Sequence, residues 1–320
     1  MKNQLTDSNY AIPRSSSLTK GREKTGAKRR RTIFTVENIS GWLFILPAFI
    51  LLAVFWLYPI GYSFYLSFFD WDMLSTPQFI GIEHYDALLN DPAFVKSMMN
   101  TFYYTTFYVI GVVVLGLILA LLVNDNIKGI SLYRTLLFSP HITPIIAVSI
   151  VWMSLYDVDD GLFNQILRAL GLPESAWLSS PDTVLLSLII MGLWKAIGYY
   201  MMFFLAGLQS VPHHLFEAGK LDGANRMQLF RYITLPFISP VTFFVVIVAI
   251  IEAFQTFDQI AVMTQGGPSN SSNVLVYMLY RHAFQFFNIG YASAIAIIIF
   301  LFLIAFTIVQ YVISRKWVHH

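Results

Sequence analysis

Of the 320 residues, 57% are hydrophobic, 16% aromatic and only 12% charged, and the mean hydropathy is +0.63. That is about half the charge of an ordinary soluble domain, so lipid is the expected solvent and a water-soluble globular protein is excluded. The formal net charge of +2 says little as a total, while the absence of cysteine rules out disulfides, thiolate chemistry and Cys-based metal sites.

Residues 1–38 read as a disordered basic cytoplasmic tail, in which Lys20, Arg22, Lys24, Lys28, Arg29, Arg30 and Arg31 crowd together without aromatic neighbours. A topogenic anchor beside an anionic inner leaflet accounts for such a run better than nucleic-acid binding does. The stretch Gly21 to Lys28 lacks the Gly-Lys-Ser/Thr ending of a phosphate loop and follows no strand, so no ATPase is expected in this chain. No cleavable signal sequence is visible, because the first apolar run begins near Gly41.

A spanning helix needs about 20 mostly apolar residues. Six stretches meet that length: Gly41 to Phe68, Thr101 to Val123, Thr135 to Tyr156, Thr183 to Gly207, Val241 to Met263 and Ile289 to Ile313. Pro47 and Pro59 are expected kinks in the first, and Pro140 and Pro144 interrupt the third. The transmembrane domain is set at residues 39–314, with 315–320 as a second short cytoplasmic tail. Lys and Arg gather on the N-terminal tail, at Lys128 and Arg134, at Lys220, Arg226 and Arg231, and at Arg315 and Lys316. Those are alternate loops, so the positive-inside rule places both termini in the cytoplasm. The acidic segments 69–97 and 157–182, and the Gly266-Gly267-Pro268 turn, then lie outside.

The cytoplasmic loop Leu208 to Pro240 is too structured for a connector. Pro212 is placed to start a helix. Leu215, Phe216, Ala218 and Leu221 give that helix a short apolar stripe, and Gly223 permits a sharp turn. Asn225 with Gln228 reads as a capping box opening a second short helix, which Pro236 and Pro240 are expected to end. An amphipathic helix resting on the membrane surface would need neither the elbow nor the Leu-Pro ending.

Glu217-Ala218-Gly219, then Asp222-Gly223, then Ile233 and Leu235-Pro236, resembles the EAA loop of ABC-importer permeases, with Gly219 where that family usually has a second Ala. The segments FIGIEHYDALLNDPAF (79–94), FDQIAVMTQGGPSNSSNVLVYMLY (257–280) and GYASAIAIIIF (290–300) look like the maltose/glycerol-phosphate branch of carbohydrate permeases. The resemblance implies an all-α membrane protein of six transmembrane helices, similar to a type I ABC-importer permease, in a bacterial inner membrane. It implies coupling through Glu217, Ala218, Gly219, Asp222, Gly223, Ile233, Leu235 and Pro236 to two separate ATPase subunits. A second, related permease and an extracytoplasmic sugar-binding protein would complete the importer.

Lys195 and Glu252 sit near the middle of the fourth and fifth spans. A charge at the bilayer centre costs about 2.5–3.5 kcal/mol on insertion scales, so such groups face protein or water. Both are expected to line the substrate path, possible partners to each other, with Gln255 and Gln259 on the helical face of Glu252 and Tyr199 offering a ring to a sugar. The competing reading has Lys195 snorkelling to headgroups and Glu252 bonding a neighbouring helix. His213-His214, His319-His320 and His141 form no metal-binding or nucleophile–base constellation, so neither enzyme activity nor a cofactor is expected. The rival function is a stand-alone ion-coupled transporter or channel using Lys195 and Glu252, for which no internal repeat is seen.

Overall fold

The computed structural model describes residues 36–124 and 128–317, with side chains described over 41–124 and 128–313. The expected basic tail up to residue 35 lies outside the described residues, as do the side chains of Arg315 and Lys316 and the pair His319-His320. By internal contacts the chain forms two units, residues 1–55 and 56–320.

The first unit holds helix α1 (Val36–Leu52), which carries Pro47 inside it and exposes Trp42, Phe44 and Phe49. A π turn at Ala53–Leu57 then leads into α2 (Tyr58–Leu66). Pro59 explains that turn: it has no N–H for the carbonyl of residue 55, and the ladder widens locally to accommodate the loss. Between α2 and the next span lie a two-stranded antiparallel hairpin, β1 (Phe69–Asp70) and β2 (Gln78–Phe79), and helix α3 (Glu83–Asn90). In the hairpin turn, Asp72 accepts from the backbone of Leu74 and from the backbone and hydroxyl of Ser75, which hold its carboxyl down at about 2.

Helix α4 (Pro92–Leu122) is capped by the Asp91 side chain, which accepts from the Ala93 N–H. Along it Tyr104, Tyr108, Val112, Gly116 and Ala120 recur every fourth residue and are all buried, forming one ridge. After the loop, Arg134 donates to the Val123 carbonyl at 2.7 Å and ties the start of the next segment to the end of α4.

The third expected span is not straight. It consists of α5 (Ile130–Ile142) and α6 (Ile145–Leu155), bent by 96° at the break. Pro140 sits inside α5 without ending it, whereas Pro144 forces Thr143 into extended backbone (ψ 135°) and ends the helix there. Helix α7 (Leu162–Ala169) follows in the acidic loop. Helix α8 (Val184–Gln209) is the most buried span, with 56% of its apolar window inside the protein. Leu188, Met191, Tyr200, Met201 and Phe204 on it are completely enclosed, with α4 as a principal neighbour.

The 208–240 loop contains α9 (His213–Leu221), α10 (Arg226–Leu229), a π turn (Phe230–Thr234) and α11 (Leu235–Phe237). Pro236 does not end the helical run as expected; the π turn absorbs its missing N–H, and Pro240 opens α12 (Ser239–Phe254) from its first turn. The fifth span then breaks at residues 255–257 before α13 (Asp258–Met263). Helix α14 (Leu275–Tyr280) and α15 (Ile289–Trp317) complete the chain. Among the described residues five helices are long and apolar enough to cross a membrane, and the α5–α6 pair makes six if it is taken as one broken span.

The tightest approach near the bend is at Gly198 of α8, where a Cβ would lie 1.9 Å from the Leu137 carbonyl oxygen. Backbone cannot yield as a flexible side chain does, so Gly198→Ala should destabilise the protein by about 1–3 kcal/mol. Gly61→Ala, where no heavy atom lies within 4 Å, should leave the thermal midpoint unchanged or raised. Thermal unfolding of the detergent-solubilised protein compares the two.

Candidate functional site

A cavity of about 310 Å³ opens between α4, the α5–α6 bend, α8 and the break after α12. Tyr104 and Tyr108 reach it from α4, His141 and Ile145 from the bend, Gly192 and Lys195 from α8, and Glu252, Gln255, Asp258 and Gln259 from the fifth span. Gly192 makes room for the Tyr104 hydroxyl, which a Cβ there would meet at 2.7 Å.

Lys195 lines this space, but its ammonium is already engaged. It donates to the carbonyls of His141 and Thr143, each at 2.9 Å, and of Pro140 at 3.3 Å. These are carbonyls at the C-terminal end of α5, where a broken helix leaves acceptors unpaired and its dipole favours a cation. No contact ion pair joins Lys195 to Glu252, although the two charges feel each other across the cavity; among the described residues the one ion pair within 4.0 Å joins Arg168 to Glu174. Glu252 instead accepts a 2.5 Å hydrogen bond from the Tyr200 hydroxyl, linking α12 to α8.

The remaining residues of the expected path divide. Gln255 is exposed to the cavity, whereas Gln259 is buried and donates to the Tyr104 hydroxyl at 2.6 Å. Tyr199 is not among the lining residues; its ring stacks on His141, with centroids 4.3 Å apart and planes 7° from parallel. The rings that do face the cavity, Tyr104 and Tyr108, escaped the sequence reading. Their signal was a polar stripe, since Ser97, Thr101, Tyr104, Thr105 and Tyr108 share one buried side of an otherwise apolar span.

In the 208–240 loop the expected elbow is present. Gly223 has φ +82°, its N–H donates to the Lys220 carbonyl and the Ala224 N–H to the Gly219 carbonyl, the pairing of a Schellman C-cap. Asn225 and Gln228 then form a complete capping box. Glu217, Ala218 and Asp222 are exposed, as is Leu221 of the apolar stripe, at 89% exposure. Gly219 packs inward: a Cβ there would lie 2.7 Å from a methyl of buried Leu229 and 3.3 Å from one of Ile233. The small residue lets the second helix close onto the first. Leu235 and Pro236 are half-buried at the far end.

The Tyr200–Glu252 bond joins the two helices that flank this loop, so its strength is testable. Tyr200→Phe should cost about 1.5–3 kcal/mol of thermal stability, the usual range for a hydrogen bond to a charged group. In a double-mutant cycle with Glu252→Ala the losses should be non-additive, since each variant removes the same bond.

Comparison with known proteins places this architecture. The family profile described as binding-protein-dependent transport system inner membrane component matches residues 112–319. The probable ABC transporter permease protein YurN of Bacillus subtilis (strain 168) is 34% identical over 279 residues, covering 86% of this chain and 95% of that protein. The multiple sugar-binding transport system permease protein MsmF of Streptococcus mutans serotype c is 33% identical over 280 residues, covering 87% of this chain and 96% of that one. A solved bacterial ABC transporter involved in the import of the acidic polysaccharide alginate contains a chain of the same fold, with TM-score 0.75, 22% identity and coverage of 88% and 96%. The chain therefore belongs to the binding-protein-dependent transport system inner membrane components, as a multi-pass permease subunit of the ABC-importer class.

Proposed function

We propose that this chain forms one half of the route by which a sugar enters a bacterial cell across the inner membrane. Residues 39–314 act as the permease domain and the cavity beside Glu252 and Gln255 as its share of the path. The chain supplies no ATP hydrolysis of its own. Two ATPase subunits seat the loop around Glu217, Ala218, Asp222 and Gly223, while Gly219, Ile233, Leu235 and Pro236 hold its shape from behind. A second, related permease closes the other side, and an extracytoplasmic binding protein delivers the solute. The similarity to a permease named for multiple sugars supports the cargo class. So does the chemistry of the cavity, which combines tyrosine rings with amide and carboxylate groups able to bond hydroxyls.

The observation that carries the coupling is structural continuity. The loop hangs between α8 and α12, both of which line the cavity, and the Tyr200 hydroxyl bonds Glu252 directly across them. A force on α9 thus reaches the cavity through two helices that are bonded to each other. Closure of the ATPases on ATP supplies that force, and the bundle is the bistable element that it biases.

Co-purification from solubilised membranes tests the reading. The wild-type chain should bring down an ATPase subunit, and the pair Glu217→Ala with Gly223→Asp should lose it, because Asp at φ +82° distorts the elbow and Ala removes an exposed contact. An ATPase retained equally by both would place the coupling elsewhere. No ATPase in either sample, with uptake driven by an ion gradient, would make this a stand-alone transporter.

A further inference from the structure

Three formally charged side chains, Lys195, Glu252 and Asp258, reach the cavity described above. They are not equivalent. The Lys195 ammonium donates to three carbonyls at the end of α5, so its positive charge faces the negative end of a helix dipole and no donor is left pointing at a solute. Asp258 is exposed, and among the described residues no side chain bonds its carboxylate. Glu252 is also exposed and accepts from the neutral Tyr200 hydroxyl, with Tyr108 beside it; it feels the Lys195 ammonium across the cavity without an ion pair within 4.0 Å, so Asp258 leaves the wall with one net negative charge. Gln255, exposed between them in sequence, adds an uncharged amide.

We propose that this wall of the cavity is an anionic filter, which accepts uncharged, hydroxyl-rich sugars and turns away uronates and phosphate esters. The proposal rests on the reading of the cavity as the sugar route. A free carboxylate is an acceptor only, and sugar hydroxyls are donors, so Asp258 can bond a neutral sugar directly. A carboxylate or phosphate on the solute presents acceptors to an acceptor and a negative charge to a negative wall. In a partly enclosed space with low-dielectric sides that repulsion is poorly screened. Clefts lined by one sign of charge bias the local concentration of small ions by about 10-fold or more.

The field can be measured without knowing the sugar. The chain contains no cysteine, so Gln255→Cys places one thiol between the two carboxylates. The assembled transporter, in membrane vesicles at pH 8 where an ordinary imidazole (about 6.5) is neutral, is reacted with two methanethiosulfonates. One carries a trimethylammonium group and the other a sulfonate, and each rate is divided by its rate with a free thiol in solution. The cationic reagent should be favoured by about 10-fold or more, and adding Glu252→Gln with Asp258→Asn should collapse the preference several-fold. Equal normalised rates, or an anion preference, would overturn the filter, as would a cation preference that survives neutralisation. A thiol that neither of these reagents nor a small uncharged one can reach would contradict the route itself, and the filter with it. Thr256→Cys, also on the cavity lining, serves as a second reporter if the first variant does not assemble.

Discussion

A helix that breaks inside a membrane leaves backbone carbonyls without donors, and hydrocarbon offers them none. Each such group costs several kcal/mol unless the protein supplies a partner. In this permease the partner is Lys195, which reaches from α8 to three carbonyls where α5 ends, those of His141 and Thr143 and that of Pro140, which the Thr143 N–H also serves. A lone ammonium at that depth would be costly too. The two liabilities cancel each other, and the bend becomes a fixed wall. Gly198, one turn further along α8, allows the α5 backbone to approach close enough for those bonds to form, and the His141–Tyr199 stack fills the remaining gap.

The cavity follows from that arrangement. With the bend held against α8, a space remains bounded by α4 on one side and the interrupted fifth span on another. The buried side of the space is made rigid by Tyr104 with Gln259 and by Tyr200 with Glu252, while Gln255 and Asp258 remain open. Bonded polar groups and open polar groups thus share one break in a helix. The same helices continue to the 208–240 loop, whose elbow is fixed by local caps rather than by packing alone.

What the sequence made legible has a physical pattern. Spans and topology depend on runs of about 20 apolar residues and on loop charge, both visible without tertiary knowledge. The elbow of the 208–240 loop was legible because Gly223, Asn225 and Gln228 act through bonds no more than five residues apart. The bend was half legible: Pro140 and Pro144 look alike in sequence, but only Pro144 follows a residue in extended backbone. The site residues were hardest, because their partners lie far away along the chain. Lys195 meets carbonyls more than fifty positions earlier, Glu252 meets Tyr200 at a separation of 52, and Gln259 meets Tyr104 at 155. Helical spacing grouped Glu252, Gln255 and Gln259 correctly around the cavity, yet could not separate the free amide from the bonded one.

The role of Lys195 is the claim on which the account depends most, and one comparison tests it. Thermal midpoints of the purified transporter are measured for wild type, Lys195→Met and Lys195→Arg. Methionine fills similar space but donates nothing, so it should orphan the α5 carbonyls and cost about 2–3 kcal/mol, while arginine keeps its donors and retains much of the stability. A methionine variant as stable as wild type, or more so, would show that the ammonium holds nothing in place and would contradict the account.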